Sequence, residues 1–176
     1  MGSDAAPMKR IYLLRHAKSS WKDEDLPDHD RPLSGRGRSA AKAIARHLRA
    51  KAIEPELVLC STALRVRQTL ERIEPALGRR SVRVEAELYG AGAHALLERL
   101  RAVPDTVSSV MVIAHNPGLQ QLVLDLARPG PEAAAVRVKF PTAALATLAF
   151  DGARWADLGP GGAELVAFVR PRDLRH

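Results

Sequence analysis

Cysteine and aromatic residues are scarce in this chain. Its 176 residues include one cysteine, Cys60, and aromatics make up 4%. A single cysteine excludes an internal disulfide framework and any metal cluster built on several thiolates. Cys60 ends the apolar run LVLC (57–60), where it reads as a small buried hydrophobe rather than a nucleophile. With so few Phe, Trp and Tyr residues, the core must be built mainly from Ala, Leu, Val and Ile. The same scarcity leaves little for unstacked bases to lie on, which argues against a single-strand nucleic-acid platform. No recognisable nucleic-acid motif is present either. No apolar run approaches the roughly 18 residues of a membrane span. MGSDAAPMKR at the start has no apolar stretch behind it of the kind a signal peptide carries. A cytoplasmic protein without membrane or nucleic-acid partners is the expectation.

The remaining composition is that of an ordinary globular protein, 46% hydrophobic and 27% charged. The formal net charge of +7 suits an acidic partner such as a phosphate. The arginines are nevertheless spread along the whole chain among alanines, so solvated positive faces account for much of it. Residues 1–7 read as a flexible tail and 8–176 as a single domain, with no internal repeat and no linker long enough to divide it.

Hydrophobic patterning gives strands at 9–16, 55–61, 81–88 and 108–115. Helices are predicted over 35–51, 63–77, 91–102 and 117–127, with Ser34 as the N-cap of the first. Residues 135–150 and 153–158 read as closing strands joined by an Asp151-Gly152 turn, and the segment after GPGG as a short strand or edge cover. Strands alternating with helices predict an α/β fold in three layers, a mostly parallel sheet covered on both faces.

In such a sheet, ligands bind beyond the carboxyl ends of the strands. The first strand delivers Arg15 and His16 there. The second delivers Ser61, with Arg65 in the first turn of the following helix. The third delivers Glu87, and the fourth His115 followed by Asn116 and Pro117. Phosphoryl transfer wants this set. Two guanidinium forks neutralise a dianion and the charge that develops on its oxygens. A neutral imidazole attacks phosphorus, its pKa lowered by the neighbouring cations, and a second imidazole donates a hydrogen bond. Neither a metal nor a cofactor is needed for it. The acidic loop DEDLPDHD (23–30) fits no metal motif and reads as solvated.

LLRHAKS (13–19), STALRVRQT (61–69) and VIAHNPG (112–118), in this order, resemble the histidine phosphatase superfamily, which includes the cofactor-dependent phosphoglycerate mutases. The short chain and DHDRPLSGRG (28–37) resemble its SixA-like phosphohistidine phosphatase branch, a minimal form without an inserted lid. The resemblance implies that His16 is the nucleophile and becomes transiently phosphorylated. It further implies that Arg15, Arg65 and His115 complete the phosphate pocket and that Arg31 folds back from the loop as another phosphate ligand. Mutase-like relatives take their general acid from a carboxylate after the third strand. Glu87 resembles that position, although its spacing to Tyr89 departs from the mutase pattern. Asp28 is the alternative acid, and no dedicated acid is a third reading, because an imidazole leaving group is far less basic than an alkoxide. Phosphohistidine on a protein is the first expected substrate and a small phosphoester or nucleotide-derived phosphate the second. A non-catalytic phosphate-binding module is the rival from another class. A monomer is expected.

Overall fold

The computed structural model describes residues 8–174; the tail read at 1–7 lies outside them. Six strands form one sheet: β1 (Met8–Arg15), β2 (Leu57–Ser61), β3 (Ser81–Glu85), β4 (Ser109–Ala114), β5 (Leu145–Asp151) and β6 (Ala163–Val169). Their spatial order is β3-β2-β4-β1-β5-β6. The first four of that order run parallel, and β5 and β6 close one side antiparallel. Five helices cover the sheet: α1 (Gly35–Ala50), α2 (Leu64–Ile73), α3 (Ala93–Arg101), α4 (Gly118–Leu126) and α5 (Pro131–Val138). Among the described residues, no helix is long and apolar enough to cross a membrane.

The continuous apolar runs are what put the central strands between two layers. Side chains alternate across a strand, so Ile11, Leu13, Leu59, Val110 and Val112 face α3, α4 and α5, meeting Leu96, Leu100, Leu119, Leu122 and Val136. Leu14, Val58, Cys60, Met111 and Ile113 face the other way, onto Ile44 and Leu48 of α1 and Val66 and Leu70 of α2. A strand buried on both faces cannot show a polar alternation. Helix α1 starts where the sequence predicts, with the Ser34 hydroxyl accepting the Gly37 amide at 3.0 Å.

The chain after α4 departs from the expected pair of strands. Residues 135–138 belong to α5, which has Pro131 in its first turn and buries Ala133 and Val136. A short run such as AAAVRV fits helical spacing as well as alternation, and the proline decides. Residues 153–158 form a 3-10 turn (Trp155–Asp157) rather than a strand. The Trp155 indole is fully buried, its N–H donating to the Val107 carbonyl at 2.8 Å, and its backbone N–H donates to Asp105 Oδ1 at 2.9 Å. Those bonds anchor the segment to the loop before β4. The strand after GPGG, β6, pairs with β5 in its place.

Candidate active site

Three parallel neighbours, β2, β4 and β1, end side by side, and their carboxyl ends bring the predicted residues together. Arg15 is the last residue of β1, and His16 follows, buried. His16 Nδ1 lies 2.7 Å from the Ala17 carbonyl oxygen. A carbonyl only accepts, so Nδ1 carries the proton and Nε2 keeps its lone pair. That lone pair receives the Nε–H of Arg65 at 3.4 Å. Burial, and after it the charges of Arg65 and Arg15, hold the His16 pKa down at about 3. At neutral pH the ring is therefore a free base with its reactive nitrogen among cations.

The backbone around His16 is fixed from several sides. The Ala17 amide donates to the Thr69 hydroxyl at 3.0 Å, and that hydroxyl donates to the Arg65 carbonyl at 2.7 Å. The Ala143 amide is shared between the carbonyls of Arg15 and His16 at 3.1 and 3.0 Å. Ala143 makes that approach at φ 62°, a left-handed conformation that a residue with a Cβ adopts only at a cost of about 1 kcal/mol or more.

His115 follows β4, its ring centroid 5.3 Å from that of His16. Its Nδ1 faces Arg65 Nη2 at 3.5 Å, and its Nε2 lies 2.8 Å from Ser61 Oγ. Arginine only donates, so Nδ1 is the acceptor, and Nε2–H donates to the serine. Burial, then the Arg65 charge, lowers its pKa to about 4. Arg15 Nη1 donates to the Phe140 carbonyl at 3.1 Å, and Asn116 Nδ2 donates to the same oxygen at 2.9 Å. Among the described residues, Arg15 Nε is buried without a hydrogen-bond partner. A desolvated N–H left in that state is costly and suits an anionic acceptor.

Arg65 is buried at the start of α2, and both of its terminal nitrogens reach Asp28: Nη1 donates to the backbone carbonyl at 2.8 Å and Nη2 to Oδ2 at 3.0 Å. Asp28 opens a 3-10 turn (Asp28–Asp30) within residues 17–34. The Tyr89 hydroxyl donates to the same Oδ2 at 2.7 Å. Tyr89, first, and then Arg65 hold the Asp28 carboxyl below its ordinary range. Next in the turn, His29 Nε2 lies 2.8 Å from Thr62 Oγ1.

Of the two candidate acids, the carboxylate at the pocket is Asp28. Glu87 is exposed in a 3-10 turn (Ala86–Leu88) because β3 ends at Glu85, three residues before the predicted end. It hydrogen-bonds none of Arg15, His16, Arg65 and His115, and its charge acts instead on Arg99, which is paired with Glu85 at 2.7 Å. Arg31 is buried, with Nη1 donating to the Asp23 carbonyl at 3.2 Å and the guanidinium 3.6 Å from the Trp21 ring centroid. No hydrogen bond ties it to the four pocket residues, but its Nε, like that of Arg15, is buried without a partner among the described residues. Cys60 is fully buried, and its thiol is pushed up to about 12 by burial. Among the described residues, no group of three His, Cys, Asp or Glu side chains is placed to hold a metal ion.

Sequence reasoning missed the function of Tyr89, Thr69 and Thr62, each of which holds another pocket residue. Tyr89 reaches the site because α4 starts hard against the loop after β3. A side chain at Gly118 would collide with the Ala91 carbonyl.

The model of the histidine phosphatase superfamily (branch 1) matches residues 11–90. Over 145 residues the chain is 32% identical to the phosphohistidine phosphatase SixA of Escherichia coli K12, covering 81% of this chain and 86% of that one. Its fold superposes on that of a SixA-named chain from Nakamurella multipartitia with a TM-score of 0.84 and 34% identity, over 96% of this chain and 99% of that one. The protein histidine phosphatase SixA complexed with tungstate gives 0.77 and 28%, over 94% and 99%. With Arg15, His16, Arg65 and His115 converging at one sheet edge as the motifs require, the chain belongs to the histidine phosphatase superfamily, in its SixA-like branch.

Proposed function

We propose that this phosphatase works through a phosphohistidine at His16 Nε2 and that its first substrate is phosphohistidine on a protein. The observation that carries the reading is the tautomer of His16. Its Nδ1–H is committed to the Ala17 carbonyl, and its Nε2 lone pair faces Arg65 inside a cationic pocket. The phosphoryl group displaces Asp28 from Arg65 and takes Arg15 on its other side, so that two forks hold its equatorial oxygens. Ser61 is a two-way partner. When its hydroxyl donates to His115 Nε2, the His115 proton sits on Nδ1 and points to a phosphoryl oxygen.

Attack by Nε2 forms the P–N bond as the bond to the leaving group breaks, and the leaving atom takes a proton from Asp28. Water then attacks the phosphohistidine and gives its proton to the Asp28 carboxylate, and phosphate leaves with Nε2 free again. An imidazole leaving group needs this proton less than an alkoxide does, which favours an N–P substrate. Favouring a macromolecule, Asp28 and Tyr89 at the pocket mouth are both exposed. The SixA relatives are phosphohistidine phosphatases by name. The same reading makes the protein a metal-independent cytoplasmic monomer whose partner is its phosphorylated substrate.

The test compares kcat/KM in EDTA for a phosphohistidine peptide and an aryl phosphate ester, with His16→Ala as control. A preference for the peptide, lost by about 10⁴-fold in His16→Ala, is expected. Faster ester hydrolysis would assign a small phosphoester instead. Wild-type turnover by His16→Ala would remove the covalent mechanism. Tight phosphopeptide binding without phosphate release would make the protein a binding module.

A further inference from the structure

This inference rests on the reading of Asp28 as proton donor and concerns the residue that holds it. Both bonds to the Asp28 carboxylate fall on one oxygen: Arg65 Nη2 and the Tyr89 hydroxyl each donate to Oδ2, at 3.0 and 2.7 Å. Among the described residues, Oδ1 has no hydrogen-bond partner, and the side chain is half exposed. In the free protein an internal carboxylate thus occupies the guanidinium that a phosphoryl dianion must use.

When phosphoryl oxygens claim Arg65, the carboxylate loses its cation and gains a dianion for a neighbour. An unattached aspartate on an exposed turn would swing into solvent. The Tyr89 hydroxyl also feels Arg65, but its proton is given to Oδ2, a bond that the phosphoryl group does not contest. Its ring stands edge-on to His115, with centroids 5.4 Å apart, and to His29 at 4.8 Å, so it is braced from both sides. We propose that Tyr89 is the positioning residue of the proton donor, keeping Asp28 at the pocket mouth through Oδ2 while Oδ1 takes up the proton. That proton comes from solvent as the phosphoryl group binds. It passes from Oδ1 to the leaving atom as the bond to phosphorus breaks, and the attacking water restores it.

The groups facing the carboxylate are Arg65 from α2, Tyr89 from the loop after β3 and His115 from the end of β4, with His29 and Asp30 in its own turn. Arg65, His115 and Tyr89 all lower its pKa, and the Tyr89 hydroxyl does so most. Removing that hydroxyl therefore leaves the carboxyl protonated to higher pH.

A double-mutant cycle of Tyr89→Phe and Asp28→Asn tests the assignment. Phenylalanine keeps the ring between the two histidines, so the fold is retained. The substrates are phenyl phosphate, with a basic leaving group, and 4-nitrophenyl phosphate, with a weakly basic one. Tyr89→Phe is expected to lower kcat on phenyl phosphate about tenfold and to leave 4-nitrophenyl phosphate within about twofold. The alkaline limb of the phenyl phosphate profile moves to higher pH. In the Asp28→Asn background, Tyr89→Phe changes none of these. An equal loss on both substrates, a full loss persisting without Asp28, or an unmoved limb would overturn the assignment. So would an Asp28→Asn variant that does not distinguish the two substrates. His16→Ala is run alongside: if it turns over, the covalent reading fails. If it is dead and the cycle is additive, only the role of Tyr89 fails.

Discussion

The pocket has two walls of opposite character. One is made of strand ends and the start of α2, where His16, Arg65 and His115 are buried and their neighbours are held by backbone bonds from Ala17, Ala143 and Ala63. The other is the exposed turn at Asp28, joined to the first wall and to Tyr89 by side-chain hydrogen bonds. The difference follows from the work each wall does. Fixed charge and a free lone pair act most strongly where water is excluded and the dipoles cannot reorganise. A proton donor must exchange with solvent twice per turnover and must release Arg65 when substrate arrives. The buried wall pushes His16 down to about 3, whereas the exposed carboxyl is lowered mainly by its hydrogen bonds to Tyr89 and Arg65.

The largest test of the contrast is Arg65→Lys. Lysine keeps the charge but loses the fork that bonds His16, His115 and the backbone carbonyl and Oδ2 of Asp28. We expect kcat/KM to fall by about 10²–10³-fold on N–P and O–P substrates alike, because the interaction stabilises the transferring group and not the leaving group. A loss confined to basic leaving groups would move Arg65 from the phosphate wall to the proton-donor wall.

A smaller effect is read in stability. Unfolded histidines titrate near pH 6.5, while folded His16 and His115 are held at about 3 and 4. Above pH 6.5 both states are neutral and stability is at its full value. As pH falls through 6.5, the unfolded chain binds protons that the native pocket refuses, so stability drops by up to about 1.4 kcal/mol per pH unit for each imidazole. Asp28 and Glu85, also held down, contribute stability above their ordinary values of 3.8 and 4.5 and lose it only as pH falls below those values. Denaturation midpoints are therefore expected to fall between pH 7.5 and 5, and His16→Asn to flatten the slope. Equal midpoints at both pH values would mean that the buried wall is wet.

The buried wall was legible in the sequence, whereas of the exposed wall only Asp28 was, as the alternative acid, and its partners were not, for a physical reason. LLRH and VIAH end continuous apolar runs, and a parallel strand buried on both faces leaves its polar residues only one place to go. Arg65, in the first turn of the helix after Ser61, follows by helical geometry. Nothing comparable fixes a loop. The Asp28 carboxylate meets Arg65 across 37 positions and Tyr89 across 61, through hydrogen bonds that no periodicity records. The same weakness misread residues 135–138, where two turns of helix and a short strand share one pattern.

Glu87→Gln makes the smallest change expected, and it separates the walls most cleanly. The reading of Glu87 as acid rested on its resemblance to the mutase-like carboxylate after the third strand, with β3 running to residue 88 and delivering that side chain at the carboxyl edge of the sheet. The strand stops at Glu85, whose carboxylate is taken by Arg99 at 2.7 Å, and the chain turns into a 3-10 coil that exposes Glu87. What reaches the pocket from this segment is the tyrosine two residues on, and it brings a hydroxyl that holds the carboxylate from the other loop. Removing the Glu87 charge should therefore change kcat on phenyl phosphate by less than about twofold, whereas Asp28→Asn should lower it by about 10²-fold. A loss on Glu87→Gln that matches that of Asp28→Asn, with the same leaving-group dependence, would require the segment after β3 to rearrange when substrate binds. The proton donor would then sit where the mutase-like relatives keep theirs.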